Sequence, residues 1–114
     1  MTITRLDIGP RMSQATIHNG VIYTAGQVDD TGATVAEQTR NVLAKIDALL
    51  AAAGTDKSKV LSATIILPDM SGFGEMNSVW DSWVVPGATP ARTTLGGALV
   101  LPAFKVEIAV IAAL

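Results

Sequence analysis

The C-terminal stretch Lys105-Val106-Glu107-Ile108-Ala109-Val110-Ile111-Ala112-Ala113-Leu114 constrains the fold more than any other part of the chain. Read as a strand from Lys105 to Ala112, it sends Val106, Ile108, Val110 and Ala112 to one face of a sheet and Glu107, Ala109 and Ile111 to the other. Both faces are apolar apart from one carboxylate, and a strand of that kind must be covered on both sides. A chain of 114 residues builds one core, not two. One face therefore meets the chain's own helices, and the other is best buried against further copies of the chain. Composition points the same way: 49% of residues are hydrophobic and 16% charged, against about 25% charged in an average soluble domain.

A membrane span is the competing explanation for so apolar a chain. The strongest uncharged run, Thr93 to Phe104, is broken by Gly96, Gly97 and Pro102 and falls short of the roughly 20 residues that a spanning helix needs. The start, Met1-Thr2-Ile3-Thr4-Arg5-Leu6-Asp7, lacks the basic opening and apolar core of a signal peptide. A soluble, cytoplasmic protein without a membrane partner is expected. The absence of cysteine excludes disulfides, thiolate metal sites and cysteine nucleophiles. Nucleic acid is not an expected partner, because the net charge is -2 and only Lys57 and Lys59 approach a basic cluster.

Residues 1–114 read as a single domain. Gln14 to Ile17 and Val21 to Ala25 form two strands joined at Asn19-Gly20, a pair that tolerates the positive φ of a tight hairpin. His18 abuts this turn and, lacking an orienting partner, reads as a surface residue rather than a base. Thr34 with Glu37 forms a capping box, and Val35, Thr39, Val42, Leu43, Ile46, Leu49, Leu50 and Ala53 keep helical spacing up to Gly54. Val60 to Leu67 is a buried strand stopped by Pro68-Asp69. Phe73, Met76, Trp80 and Trp83 fall on one side of a second helix and are expected in the core. A strand around Arg92, a break at Gly96-Gly97 and the C-terminal strand follow. The order β-β-α-β-α-β-β predicts an α+β sandwich, with two helices on one face of a mixed sheet.

Chemistry is concentrated in two places. Pro90-Ala91-Arg92-Thr93-Thr94 sets an arginine, and Lys105-Val106-Glu107-Ile108 a glutamate, into otherwise apolar strands. A charge in such surroundings must be paired or bound, because an uncompensated buried charge is costly. Arg92 offers a planar fork for an anion, and Glu107 a carboxylate able to handle a proton. A purely structural ion pair between them, at an interface between copies, is the plainer alternative.

In order and spacing, Ile8-Gly9-Pro10, Tyr23-Thr24-Ala25-Gly26-Gln27, Val42-Leu43-Ala44-Lys45-Ile46, Met76-Asn77, Pro90-Ala91-Arg92 and Lys105-Val106-Glu107-Ile108 resemble the Rid family of reactive intermediate deaminases, also called the YjgF family. The resemblance covers nearly the whole chain. It implies a chorismate-mutase-like fold and a homotrimer with a barrel-like centre and three clefts between subunits. In deaminating members the arginine matching Arg92 grips the substrate carboxylate with the backbone N–H matching that of Thr94, and the glutamate matching Glu107 positions water. Gly26 and Asn77, each within a matching motif, complete the substrate-binding set. The substrate class implied is a small carboxylate, a 2-imino acid hydrolysed to a 2-oxo acid and ammonia, with no cofactor and no metal.

The chain departs from the family where many active members carry a tyrosine after the Gly-Pro that matches Gly9-Pro10. Here that place holds Arg11, which joins the substrate-binding candidates and which either favours a dicarboxylate or removes the standard activity. Thr94 stands for the family's frequent cysteine, Ala25 for a small hydroxyl residue, and Leu95-Gly96-Gly97 is an unusual continuation after the arginine. Three functions follow: an imine/enamine deaminase, a non-catalytic trimer that binds a small carboxylate, and a ribonuclease, as an older family name has it. The acidic balance argues against the last.

Overall fold

A computed structural model describes residues 2–114. Its elements are β1 (Thr4–Ile8), β2 (Ser13–His18), β3 (Val21–Thr24), α1 (Val35–Ala52), β4 (Val60–Leu67), α2 (Phe73–Trp83), β5 (Ala91–Gly96) and β6 (Glu107–Ala113). The strands form one sheet in the order β1-β2-β3-β6-β4-β5. Every pairing is antiparallel except β4 with β5, which run parallel because α2 crosses between them. The fold is therefore the expected mixed sheet with helices on one face.

Local chemistry explains most boundaries. Asn19 and Gly20 both have positive φ, 52° and 74°, the signature of a two-residue hairpin turn matched to strand twist. The Thr34 side chain accepts from Glu37 N at 3.1 Å and caps α1. The Glu37 carboxylate returns to Ala33 N at 2.8 Å, one residue before the position a capping box would serve. Gly54, with φ 83°, lets the chain leave the helix.

Three expectations are corrected. β1 was not anticipated: its sequence Thr-Arg-Leu-Asp-Ile is largely exposed, and only Leu6 packs on the core, so it carries little alternation to read. The last strand enters the ladder at Glu107, two residues later than Lys105. Phe73 is 39% exposed, whereas Met76, Trp80 and Trp83 are buried as expected. Phe73 opens α2 at the rim of the sandwich, where the helix has not yet reached the core.

The core lies between the helices and the inward face of the sheet. Val42, Ile46 and Leu50 of α1 and Met76 of α2 pack with Ile22, Ile65, Ile108 and Ala112, all essentially inaccessible. Pairing of Ile108 with Ile65 and of Val110 with Ala63 places them on this face. Glu107, Ala109 and Ile111 face away, opposite Ile66, Thr64 and Ser62, and Tyr23 joins them across β3. Among the described residues no helix covers that outer face, so its partly exposed apolar residues stand where the sequence placed a second cover.

The loop before α1 holds one buried carboxylate. Burial raises the pKa of Asp29, but hydrogen bonds from Asn41 Nδ2 (3.0 Å), Gly32 N (2.9 Å) and Thr31 Oγ1 (2.8 Å) outweigh that penalty and bring the carboxyl from 3.8 down to about 2. Because the folded value lies below the unfolded one, this stabilisation is complete above about pH 4 and is lost as pH falls through 2. Asp29→Asn should destabilise the protein at pH 7 by about 1 to 3 kcal/mol, the scale of charge-assisted hydrogen bonds. Thermal melts from pH 7 to pH 2 check this. The wild type should lose more stability than the variant below pH 4, and parallel curves would count against it.

Candidate functional site

β5 is an edge strand, and Arg92, its second residue, pairs with Ala63 of β4 and so lies on the helix-covered side. Its Nη1 donates to Asn77 Oδ1 at 2.8 Å. The guanidinium carbon lies 5.5 Å from the Trp80 ring centroid and 5.7 Å from that of Phe73, within cation–π range. Phe73, Asn77 and Trp80 stand four and three residues apart, hence on one face of α2. The helix thus supplies a cradle: an amide bonds one edge of the fork, and two rings lie within cation–π reach of the cation. One donor of the guanidinium is engaged by Asn77, and a guanidinium has further N–H groups to offer an anion. Thr94 follows on the same side, with a buried Oγ1 that has no hydrogen-bond partner among the described residues.

Sequence reasoning had Asn77 as a candidate and Arg92 as the anchor, and the structure joins them directly. It missed Phe73 and Trp80 as walls, having assigned both to packing. The signal was the shared helical face with Asn77, which becomes informative only once α2 is known to lie beside Arg92.

Glu107 opens β6 on the opposite, outer face, opposite Ile66. Its side chain lies against Gly26: a Cβ there would sit 2.7 Å from Glu107 Cδ and 2.9 Å from Oε2. Gly26 is therefore needed for close approach rather than for its φ. The segment around it is held firmly. Ala25 N donates to Gln14 O at 2.8 Å, Gln27 N to Ile108 O at 2.8 Å and Ile108 N to Gln27 O at 3.2 Å. The buried Gln27 amide donates to Gln14 Oε1 at 3.0 Å and Ala25 O at 3.1 Å.

Arg92 and Glu107 do not meet in one chain. Leu95 pairs with Ile66, which pairs with Glu107, so Arg92 stands three residues back along the sheet, two strands away and on the other face. At about 3.3 Å per residue and 4.8 Å per strand their Cα atoms are roughly 14 Å apart. An ion pair between them within a single chain is thereby excluded. Arg11 is exposed at the tip of the β1–β2 turn, closed by Gly9 N donating to Met12 O at 2.9 Å. A groove of about 280 Å³ lined by Val35, Asp69, Glu75, Phe104 and Lys105 contains none of these candidates. Among the described residues no group of three or more His, Asp or Glu is arranged to hold a metal ion, and no helix is long and apolar enough to cross a membrane.

Residues 2–114 match the family model described as endoribonuclease L-PSP. The chain is 46% identical over 113 residues to the RutC family protein YoaB of Escherichia coli, covering 99% of both. It is 34% identical to the chloroplastic Reactive Intermediate Deaminase A of Arabidopsis thaliana, over 94% of this chain and 60% of that one. Its structure superposes on the crystal structure of a YjgF-family protein from Neisseria meningitidis with a TM-score of 0.97, at 47% identity and covering 99% and 95% of the two chains.

Proposed function

The chain belongs to the endoribonuclease L-PSP family, the YjgF/RutC group, and from this premise we propose that it hydrolyses reactive 2-imino and enamine acids to 2-oxo acids and ammonia at clefts between the subunits of a homotrimer. The observation that carries this reading is the preset Arg92 fork at a sheet edge, held by Asn77 with donors to spare. A relative at 34% identity is named for such a deaminase activity. Since Arg92 and Glu107 of one chain face opposite ways, a site that uses both must take them from two chains, and the outer apolar face provides the surface on which chains meet.

In that cleft the substrate carboxylate accepts two parallel hydrogen bonds from the guanidinium and one from the backbone N–H of Thr94. Glu107 holds a water against the C=N carbon, takes its proton as the C–O bond forms and returns it to the nitrogen, giving a carbinolamine; transfer of the carbinolamine hydroxyl proton to the same nitrogen breaks the C–N bond and releases ammonia. The water oxygen becomes the 2-oxo oxygen. Incubation with an amino-acid oxidase and its amino acid generates the imine in place, and the chain should speed the appearance of 2-oxo acid and ammonia. No acceleration would leave the second reading, a non-catalytic trimer that binds a small carboxylate. That reading is favoured by one observation, that Asn77 holds the Arg92 guanidinium within one chain, without any help from Glu107.

The assembly has its own test. Light scattering should give a mass three times that of one chain. Ile111→Asp places a charge on the outer face while sparing the core, so it should leave a folded monomer, because an unpaired charge buried at an interface costs several kcal/mol. A monomeric wild type at micromolar concentration would remove both the trimer and the shared cleft.

A further inference from the structure

We infer that Gln38 is a positioning residue for Glu107: its buried amide clamps the main chain just before β6 and so sets where the Glu107 carboxylate stands. This rests on the role given to Glu107 above and adds to it a residue that does not touch the substrate.

Gln38 lies in the first turn of α1, only 1% exposed, and its backbone N donates to Thr34 O at 3.0 Å. A leucine would fill such a place with no polar atom to satisfy, so a buried amide here has to be matched by bonds. It is matched entirely by main chain. Its Oε1 accepts from Lys105 N at 2.8 Å, and its Nε2 donates to Ala103 O at 2.8 Å and to Gly32 O at 3.0 Å. Both N–H groups are thereby spent, and the side chain acts through the loop before β6 rather than on a ligand.

Glu107 stands where such a hold matters. The pairing of β6 with β4 begins at Glu107 itself, so Lys105 and Val106 precede the ladder. Upstream, Ala98, Val100, Leu101, Pro102 and Ala103 are exposed, Val100 by 88%. The loop's main-chain bonds, Gly97 N to Leu67 O at 3.2 Å and Phe104 N to Leu101 O at 3.1 Å, tie it to β4 and to itself. Gln38 ties its end to the helix layer, with Val106 fully buried between the clamp and Glu107. Downstream, Gln27 and Ile108 exchange main-chain bonds of 2.8 and 3.2 Å. The glutamate is thus held from both sides, and its carboxylate rests against Gly26 because neither side can shift. Arg92 is held separately, by Asn77 of α2, and Gln38 bonds to neither.

Gln38→Met removes the amide at similar length, and Thr55→Val is its control. Thr55 is also buried, and its Oγ1 donates to Ala113 O at 2.7 Å, at the far end of the same strand. Both variants lose a buried tie to β6, but only one of them beside Glu107. With imine generated in place by an amino-acid oxidase, turnover by Gln38→Met should fall by on the order of tenfold or more, the scale of a misplacement of up to about 1 Å. Its affinity for 2-oxobutanoate should stay within about twofold of wild type, and amide hydrogen exchange from Lys105 to Ile108 should quicken. Thr55→Val should keep wild-type turnover. Gln38→Glu keeps an acceptor for Lys105 N but not the two N–H donors, so it should lose turnover in the same way, and it is read in place of Gln38→Met if that variant does not fold. Wild-type turnover in either folded Gln38 variant, an equal fall in Thr55→Val, or turnover and affinity falling together would overturn the inference. If the wild type hydrolyses imine but is indifferent to Gln38, only this inference falls. If the wild type hydrolyses none, the deaminase reading falls and this inference with it.

Discussion

Glu107→Gln should lower imine hydrolysis by roughly 100-fold or more, the usual scale of general acid–base help, while the trimer still forms and 2-oxo acids still bind. Glutamine keeps the size of the side chain and its packing on Gly26 but cannot take a proton from water. The geometry makes this a clean change: Glu107 stands at the start of β6, outside the buried core, and makes no contact with Arg92 of its own chain. Gly26→Ala offers an independent route to the same end, because a new Cβ would lie 2.7 Å from the Glu107 carboxyl carbon and force that group aside. Displacement of about 1 Å is enough to cost on the order of 100-fold in a positioned reaction. Turnover, melting temperature and oxo-acid affinity measured on both variants separate the cases. Unchanged turnover in a stable Glu107→Gln trimer would take Glu107 out of the mechanism and put the binding reading ahead. Stability and affinity falling together would instead mark a structural role.

Arg92→Lys should weaken binding of pyruvate or 2-oxobutanoate by about 1 to 3 kcal/mol, the worth of a charge-assisted hydrogen bond. The charge survives the substitution, but the fork does not. A guanidinium can bond Asn77 at one edge, stay within cation–π reach of Phe73 and Trp80 and still present a donor pair to a carboxylate, whereas an ammonium is a compact point charge that can do only part of this. Calorimetry checks the expectation, and equal affinity in the two proteins would remove Arg92 as the anchor. Asn77 belongs to the same experiment: its loss should free the guanidinium to swing, so Asn77→Ala should weaken the same ligands without changing the net charge.

Much of the fold was legible because its causes are local. Thr34 and Glu37 mark the start of α1 and Gly54 its end whatever the chain packs against, since capping satisfies the helix's own orphan groups. Asn19-Gly20 specifies its turn through backbone sterics alone. The apolar alternation of the last strand carried the need for two covers, and burial follows that alternation residue by residue. β1 was not legible, because an exposed edge strand asks little of its side chains and leaves no period to read.

The candidate residues were legible for a different reason: a charge in an apolar strand stands out, and Arg92 and Glu107 stood out in the sequence before any fold was known. What the sequence by itself determined was therefore which residues are candidates for the site and which side of its own strand each one shares. Whether Arg92 and Glu107 share a side of the sheet was decided only by tertiary structure. The parity of one strand relative to another is set by pairing register, and the crossover through α2 sets β5 against β4 so that Arg92 meets Ala63 while Glu107 meets Ile66. The same non-local pairing brought the Phe73, Asn77 and Trp80 face of α2 over Arg92, and no local period encodes that.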